Sequence, residues 1–391
     1  MIFPGMISRR LVVKRLASGL GMGWLGYEGV GEFVLGRKER ELAMGFHNDA
    51  PSQPDAFSRP AAYGEPAGRL VRCTLCPHAC TLGEGDRGLC RVRAVKGGRL
   101  LTLGYGNLCS MAMDPIEKKP LYHFLPRTPI LSVAMGGCNL RCLNCQNWEI
   151  SQARPEDVKR LEALPERLVQ VALQRGAPSI AFTYTEPLVT FEYVRDASQE
   201  ARRKGVRTVL VTAGFVQEKP LRELCRSIDA VTLDVKAFRD SFYREVSSAR
   251  LAPVLRTLEV LREEGVWIEV SFLMVPTLSD EPSEVGAFAA WVAEKLGPET
   301  PLHILRFHPA HRLTHLPPTP LHALQGARQA ATGAGLRHVY VGNAPGSDGG
   351  RTRCAGCGRA LVEREGFRVV ADELRDGACP ACGRKLSGVF S

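Results

Sequence analysis

The chain has 391 residues, of which 45% are apolar and 24% charged, and 51 Lys and Arg against 41 Asp and Glu leave a net charge of +10. These values allow two or three folded units with a sizeable core and exclude a collagen-like, coiled-coil or wholly disordered chain. No apolar run reaches the ~18 residues of a membrane span, and the basic charge is too dispersed to make nucleic acid the expected partner.

In chain order, residues 1–68 read as an N-terminal arm and linker. The segment Ser8-Arg9-Arg10-Leu11-Val12-Val13-Lys14 is similar to a twin-arginine export signal, and a short Gly-rich apolar stretch follows at 16–27. No small-x-small cleavage site follows it, so a basic arm is the alternative. Residues 48–68, rich in Pro, Ala and Ser, read as linker. Residues 69–128 form a module around Cys73, Cys76, Cys80 and Cys90. From 129 to 345, β-rich runs alternate with helical stretches. The runs lie at 130–135, 179–183, 207–212, 229–235, 266–273, 302–307 and 338–341, and the helical stretches include 156–175, 188–204, 216–227, 249–264 and 281–296. Such alternation predicts parallel βα units, either a full or partial (β/α) barrel or an open doubly wound sheet. Residues 346–391 form a further Cys-containing module.

Cysteine is the informative residue. Of 13 cysteines, eleven fall into clusters of four (73–90), three (138–145) and four (354–382). The odd total argues against a closed disulfide set, and the tight spacing suits metal ligation in a reducing compartment. Cys109 and Cys225 stand alone and read as small buried apolar residues.

In a barrel, chemistry gathers at the C-terminal ends of the strands. There the first strand runs into Gly136-Gly137 and then Cys138-x3-Cys142-x2-Cys145. Three thiolates on a [4Fe–4S] cubane leave one iron open, and an open position makes a metal site reactive rather than structural. Such an iron can chelate the amino and carboxylate groups of S-adenosylmethionine. The alternative is a zinc knuckle lacking a ligand.

The run Gly137-Cys138-Asn139-Leu140-Arg141-Cys142-Leu143-Asn144-Cys145-Gln146-Asn147-Trp148 resembles the signature of radical S-adenosylmethionine (SAM) enzymes. Together with Asp114-Pro115-Ile116-Glu117-Lys118-Lys119-Pro120-Leu121-Tyr122-His123-Phe124 and the outer Cys clusters, it resembles the radical SAM member of the AmmeMemoRadiSam system, a relative of the pyruvate formate-lyase activating enzymes. The resemblance covers about residues 70–391. It implies an α/β fold with a partial (β/α) barrel of the radical SAM type. It implies that Cys138, Cys142 and Cys145 hold the catalytic [4Fe–4S] cluster, that Glu186 lies near the methionine amino group, and that Asp234 and Lys236 help fix the cofactor. Asn144 takes the cofactor-facing position where relatives carry an aromatic residue, and Tyr184-Thr185 replaces their Gly-Gly. His308 would occupy a further catalytic position at the sixth strand end. Simpler roles stand beside these: Glu186 before Pro187 suits a helix start, and Asp234 and Lys236, two apart on a strand, suit an ion pair.

Cys354-x2-Cys357 and Cys379-x2-Cys382, 21 residues apart and each followed by Gly, predict a zinc-ribbon-like knuckle pair whose metal supplies much of the tail's folding energy. Cys73, Cys76, Cys80 and Cys90 suit zinc or an auxiliary iron–sulfur cluster equally. The expected partners are a low-potential electron donor such as a flavodoxin or ferredoxin, and a protein or small-molecule substrate, with the AmmeMemoRadiSam proteins as candidates. The expected location is the cytoplasm, with twin-arginine export as the alternative. A non-catalytic module binding nucleic acid or protein is the competing function.

Overall fold

A computed structural model describes residues 56–391; the twin-arginine-like segment lies outside the described residues. Strands occur at Pro129–Met135, Ser179–Phe182, Arg207–Thr212, Ala230–Val235, Trp267–Met274, Leu302–Arg306 and Val339–Gly342, matching the seven runs expected. Each pairs in parallel with the next in unbroken sequential order. A doubly wound sheet reverses that order at a switch point, so this alternative is excluded.

The two faces of the sheet carry different cores. Alternate residues point to opposite sides of a strand. Leu131, Val133, Phe182, Leu210, Leu233, Val270 and Ile304 share one core with helical residues such as Leu168, Val194, Leu221, Leu258, Phe288 and Leu324. These come from the helices Pro165–Gln174, Phe191–Arg203, Glu218–Cys225, Leu251–Glu263, Pro282–Lys295 and Leu321–Gly333. The opposite face, through Ile130, Ala181, Val209 and Ala230, packs against Ile116, Leu121, Phe124 and Leu125. Helices therefore cover one face, and a mostly irregular segment opening with one short 3-10 turn at Ile116–Lys118 plugs the other, an arrangement suited to a (β/α) barrel. None of the described helices is long and apolar enough to cross a membrane.

The structure differs from the sequence reading in four places. Within the stretch read as linker, Arg59–Pro60 and Gly64–Ala67 are strands, paired with Arg99–Thr102 and Leu70–Cys73. Backbone pairing there needs no apolar pattern, so composition hid it. Asn107–Pro115 belongs to the main sheet, antiparallel to Pro129–Met135, although it was grouped with the Cys73 module. Its mixed Asn, Cys, Ser and Met residues blur the alternation that marks a strand. The helix expected over 156–175 begins only at Pro165, which fixes its first turn, because Leu161–Glu162 pairs with Asn107 and Leu108 instead. Finally, the tail is stitched to the plug: Leu125 donates its N–H to Val389 O (2.7 Å), and Val389 N–H donates to His123 O (2.8 Å).

Candidate functional site

The first parallel strand delivers the chain to Gly137, whose φ is +101°. A Cβ there would meet Val92 and lie 2.7 Å from Cys90 O, so only glycine fits this close approach. The cysteine loop that follows is held by its backbone. Arg141 N donates to Ser247 O and Leu143 N to Val246 O, both at 2.9 Å, and Leu143 O accepts from Arg312 N at 2.9 Å. The anchoring segment Tyr243–Ser247 is one turn of π-helix, a form frequent at functional sites. Asn147 Nδ2 donates to Tyr184 O (2.9 Å), tying the loop to the second strand end.

Cys138, Cys142 and Cys145 are all partly buried. Burial pushes the Cys138 thiol well above its ordinary value, and the charges of Glu186, Cys142 and Cys145 push the same way. Burial likewise raises Cys142, against the attraction of Lys236. Cys138 and Cys142 thus resist ionisation on their own, and a bound metal cation would reverse that preference, because ligating thiols are deprotonated.

Of the five other residues singled out in the sequence, Asn144 lies within this loop, and Glu186, Asp234 and Lys236 lie close enough for their charges to act on its thiols. Glu186 is buried beyond the second strand. It accepts hydrogen bonds from Thr212 Oγ1 (2.6 Å), Ala213 N (2.9 Å) and Leu188 N (3.1 Å), the last capping the turn Pro187–Thr190. Its helix-start role is therefore real, yet Oε2 accepts only from Ala213 and keeps a lone pair. Burial raises its pKa, while these donors and Lys236 oppose the rise. Lys236 Nζ lies 3.3 Å from Asp234 Oδ2, so the two pair with each other rather than across strands. Burial works against the Lys236 ammonium, but Asp234 and the Cys142 sulfur outweigh it and raise its pKa. Ser271 Oγ also donates to Asp234. Asn144 is 7% exposed, and its Oδ1 has no hydrogen-bond partner. A buried unpaired carbonyl carries a desolvation cost of ~1–3 kcal/mol, which a bound donor removes. His308 differs: its Nε2 contacts Asn343 O (3.2 Å) at the seventh strand end, not the cysteine loop. Its neighbour His311 does reach the loop, stacking on Trp148 with ring centroids 5.2 Å apart.

Beneath the loop lies a polar group to which sequence reasoning gave no role. Tyr184, with φ of +68°, turns inward and donates its hydroxyl to Asp114 Oδ2 at 2.5 Å. Lys119 Nζ contacts the same oxygen at 2.7 Å and lies 4.3 Å from the Tyr184 ring centroid. Burial opposes the Asp114 carboxylate, but Lys119, Tyr184 and Lys118 hold its pKa well below the usual range. Burial in turn brings Lys119 down to about 8. The sequence signal was available: Tyr184 stands where relatives carry glycine, and Asp114 and Lys119 share the quoted motif. Tyr243, whose hydroxyl accepts from Lys236 N (3.0 Å), carried no such signal.

The sulfurs of Cys354, Cys357, Cys379 and Cys382 lie within 4.8 Å of one another, with Cys354–Cys382 at 3.5 Å and Cys357–Cys379 at 3.7 Å. A tetrahedral ion with ~2.3 Å metal–sulfur bonds needs sulfur separations of roughly 3.8 Å. Among the described residues no other trio or quartet of potential ligands is gathered so closely. Cys73, Cys76, Cys80 and Cys90 instead line one cavity with His78, Gly88 and Arg93. Cys109 and Cys225 are both buried.

Comparison with known proteins agrees with this geometry. Residues 132–289 match the model of the radical SAM superfamily. A Methanocaldococcus jannaschii protein, the uncharacterised MJ0808, is 44% identical over 322 residues, covering 82% of this chain and 96% of the relative. Pyruvate formate-lyase 1-activating enzyme of Escherichia coli is 23% identical over 176 residues, 44% of this chain and 71% of that enzyme. A radical SAM methyltransferase from Sphaerobacter thermophilus superposes with a TM-score of 0.45 at 11% identity, over 84% of this chain and 86% of its own. Residues 132–289 form a radical SAM domain, and the protein is a radical SAM enzyme that resembles pyruvate formate-lyase activating enzyme.

Proposed function

We propose that Cys138, Cys142 and Cys145 hold a [4Fe–4S] cluster and that the adjoining residues seat S-adenosylmethionine on it. When bound, the cluster would donate one electron to the sulfonium of S-adenosylmethionine, whose C–S bond would break to release methionine and supply hydrogen-atom abstraction from the substrate. The observation that carries the reading is the convergence of three partly buried sulfurs with Glu186, Asp234, Lys236 and the unpaired Asn144 amide at the strand ends. Glu186 Oε2 offers its free lone pair to the methionine ammonium. Asp234 holds Lys236 beside Cys142, where the ammonium balances thiolate charge. Asn144 Oδ1 accepts from an exocyclic amine such as that of adenine. His308, bonded to Asn343 O at the seventh strand end, is assigned to the substrate side of the site.

By its motifs this is the radical SAM member of the AmmeMemoRadiSam system, acting in the cytoplasm on a protein glycine or a small molecule, with a flavodoxin or ferredoxin as electron source. Anaerobically reconstituted protein given dithionite and S-adenosylmethionine is expected to be brown and to release 5′-deoxyadenosine. Colourless protein that binds only zinc would instead favour a binding module. Asn144→Leu should weaken S-adenosylmethionine binding about tenfold, equivalent to ~1.4 kcal/mol for one hydrogen bond; calorimetry showing unchanged affinity would remove Asn144 from the site.

The tail quartet is assigned zinc in a ribbon-like module on its sulfur spacing. Cys379→Ser should expose residues 350–391 to protease. Because residues 387–389 bond to His123 and Leu125, it should also lower the melting temperature of the whole chain. Unchanged proteolysis would show that no structural metal is held there.

A further inference from the structure

The Cys73–Cys90 quartet lies against the loop that carries Cys138. His78, two residues after Cys76, places Nε2 2.8 Å from Asn139 O, the carbonyl next to Cys138. Gly137, on the other side of Cys138, has room only for hydrogen because Cys90 O and Val92 press on it. Arg141 donates to Leu89 O, and its charge is felt by Cys90, Cys138 and Cys142 together. Three independent contacts thus join the two cysteine sets, each within two residues of a thiol in both.

The quartet is built for a larger group than one ion. All four cysteines line a single cavity. A Cβ on Gly88 would lie 3.8 Å from the sulfurs of both Cys80 and Cys90, so this residue sits between them. Yet no three of the four sulfurs come within 4.8 Å of one another, as those of the tail do. A tetrahedral zinc site cannot span a wider set, whereas a cubane presents a separate iron to each thiolate. Backbone amides of Val92 and Arg93 point at the Cys90 sulfur and that of His78 at the Cys76 sulfur. Such amide–sulfur bonds tune iron–sulfur clusters. Arg93 supplies a buried cation beside Cys73 and Cys90, itself anchored on Glu192.

We propose that Cys73, Cys76, Cys80 and Cys90 hold a second iron–sulfur cluster that relays single electrons to the cluster at Cys138, along the short path Cys76–His78–Asn139–Cys138. The donor is a one-electron carrier of the flavodoxin or ferredoxin class. Each transfer oxidises the donor by one electron and reduces the second cluster by one. That cluster then returns to its oxidised state as the first is reduced, and no proton or bond changes partner. All four protein ligands close the second cluster, so it offers no iron to S-adenosylmethionine. Half-exposed Leu89 lies in the wall of its cavity, on the side open to solvent.

The relay rests on the proposed first cluster, and metal analysis separates the two. Full-length, anaerobically reconstituted protein should carry about eight irons, with matching sulfide, in two clusters of four. The Cys138→Ala, Cys142→Ala, Cys145→Ala triple variant should keep about half of both, with a reduced-cluster electron paramagnetic resonance signal unmoved by S-adenosylmethionine. If that variant held zinc without sulfide, the second cluster would be refuted. If it kept all the iron of the wild type, the first-cluster reading would be the one at fault. Wild-type protein needs no substitution for the second arm. Mixed with reduced flavodoxin and freeze-quenched, its S-adenosylmethionine-insensitive signal should appear first and decay as the sensitive signal grows. A sensitive signal that rises with no earlier partner overturns the relay.

Discussion

Cys142→Ala should abolish 5′-deoxyadenosine formation while leaving the protein folded. The two halves of that result have separate causes. Activity falls because a cubane with two protein ligands is not retained, and the loss should exceed the roughly 100-fold that follows removal of a group merely supporting a metal ligand. The fold survives because the loop is held by main-chain atoms. Arg141 N, Leu143 N and Leu143 O are bonded to Ser247, Val246 and Arg312, and none of these bonds uses the sulfur. The side chain is only partly buried, so its truncation leaves little cavity. Circular dichroism and thermal melting of the apo forms should therefore coincide within a few degrees, while anaerobic turnover of S-adenosylmethionine disappears. Turnover at the wild-type rate would show that the loop is not the site; an unfolded variant would show that the main-chain anchors do not suffice.

The parts legible in the sequence share a property: each is written in a short local pattern. Seven apolar runs became seven parallel strands because a strand buried on both faces needs an unbroken apolar run, with little room for ambiguity. The cysteine loop was legible because ligand spacing is a local constraint. Asp114–Pro115 and the plug at 116–125 stand out only as a motif, and their roles were not legible, since their partners, Tyr184, Thr232 and Glu269, are distant in the chain. Lys119 looks like a surface lysine and is in fact buried against Asp114. The same holds for Ser271, which acts only by bonding Asp234 from the neighbouring strand. His308 shows the same limit from the other side: its place at a strand end is a local feature, but its partner, Asn343 O at the next strand end, is not.

The floor of the parallel sheet yields the largest expected stability effect. Glu269 is fully buried and accepts four hydrogen bonds: from His123 N (2.7 Å) and Trp267 Nε1 (3.3 Å) on Oε1, and from Tyr122 N (2.9 Å) and His303 Nε2 (2.7 Å) on Oε2. One carboxylate thereby joins the fifth and sixth strands to the plug. His123 carries the link onward, with Nδ1 2.7 Å from Ser387 O and Nε2 2.6 Å from Tyr340 Oη. In Glu269→Gln one acceptor oxygen becomes an amide donor facing groups that themselves donate. The cost should be about 3 kcal/mol, within the range for breaking a buried charged network.

The pH dependence of the same network follows from three groups. Burial lowers His123 from 6.5 to about 3, reinforced by His338 and Arg364 and opposed by Glu269. Burial also lowers His338, against the attraction of Glu299. Below pH 6.5 the unfolded chain binds protons on these histidines that the folded chain refuses, so stability falls as pH falls. For His123 the loss is roughly 1.4 kcal/mol per pH unit until about pH 3. Burial alone would raise Glu269, but His303, His123 and the Tyr122 amide bring it below its ordinary value, so its contribution too is present above pH 4.5 and lost in acid. Urea unfolding at pH 7.5, 6 and 5 should show a steady decline in the wild type. Glu269→Gln should start about 3 kcal/mol lower at pH 7.5. A variant within 0.5 kcal/mol of the wild type would mean that Glu269 does not hold the floor together, and a flat profile between pH 7.5 and 5 would mean that His123 is protonated in the folded chain.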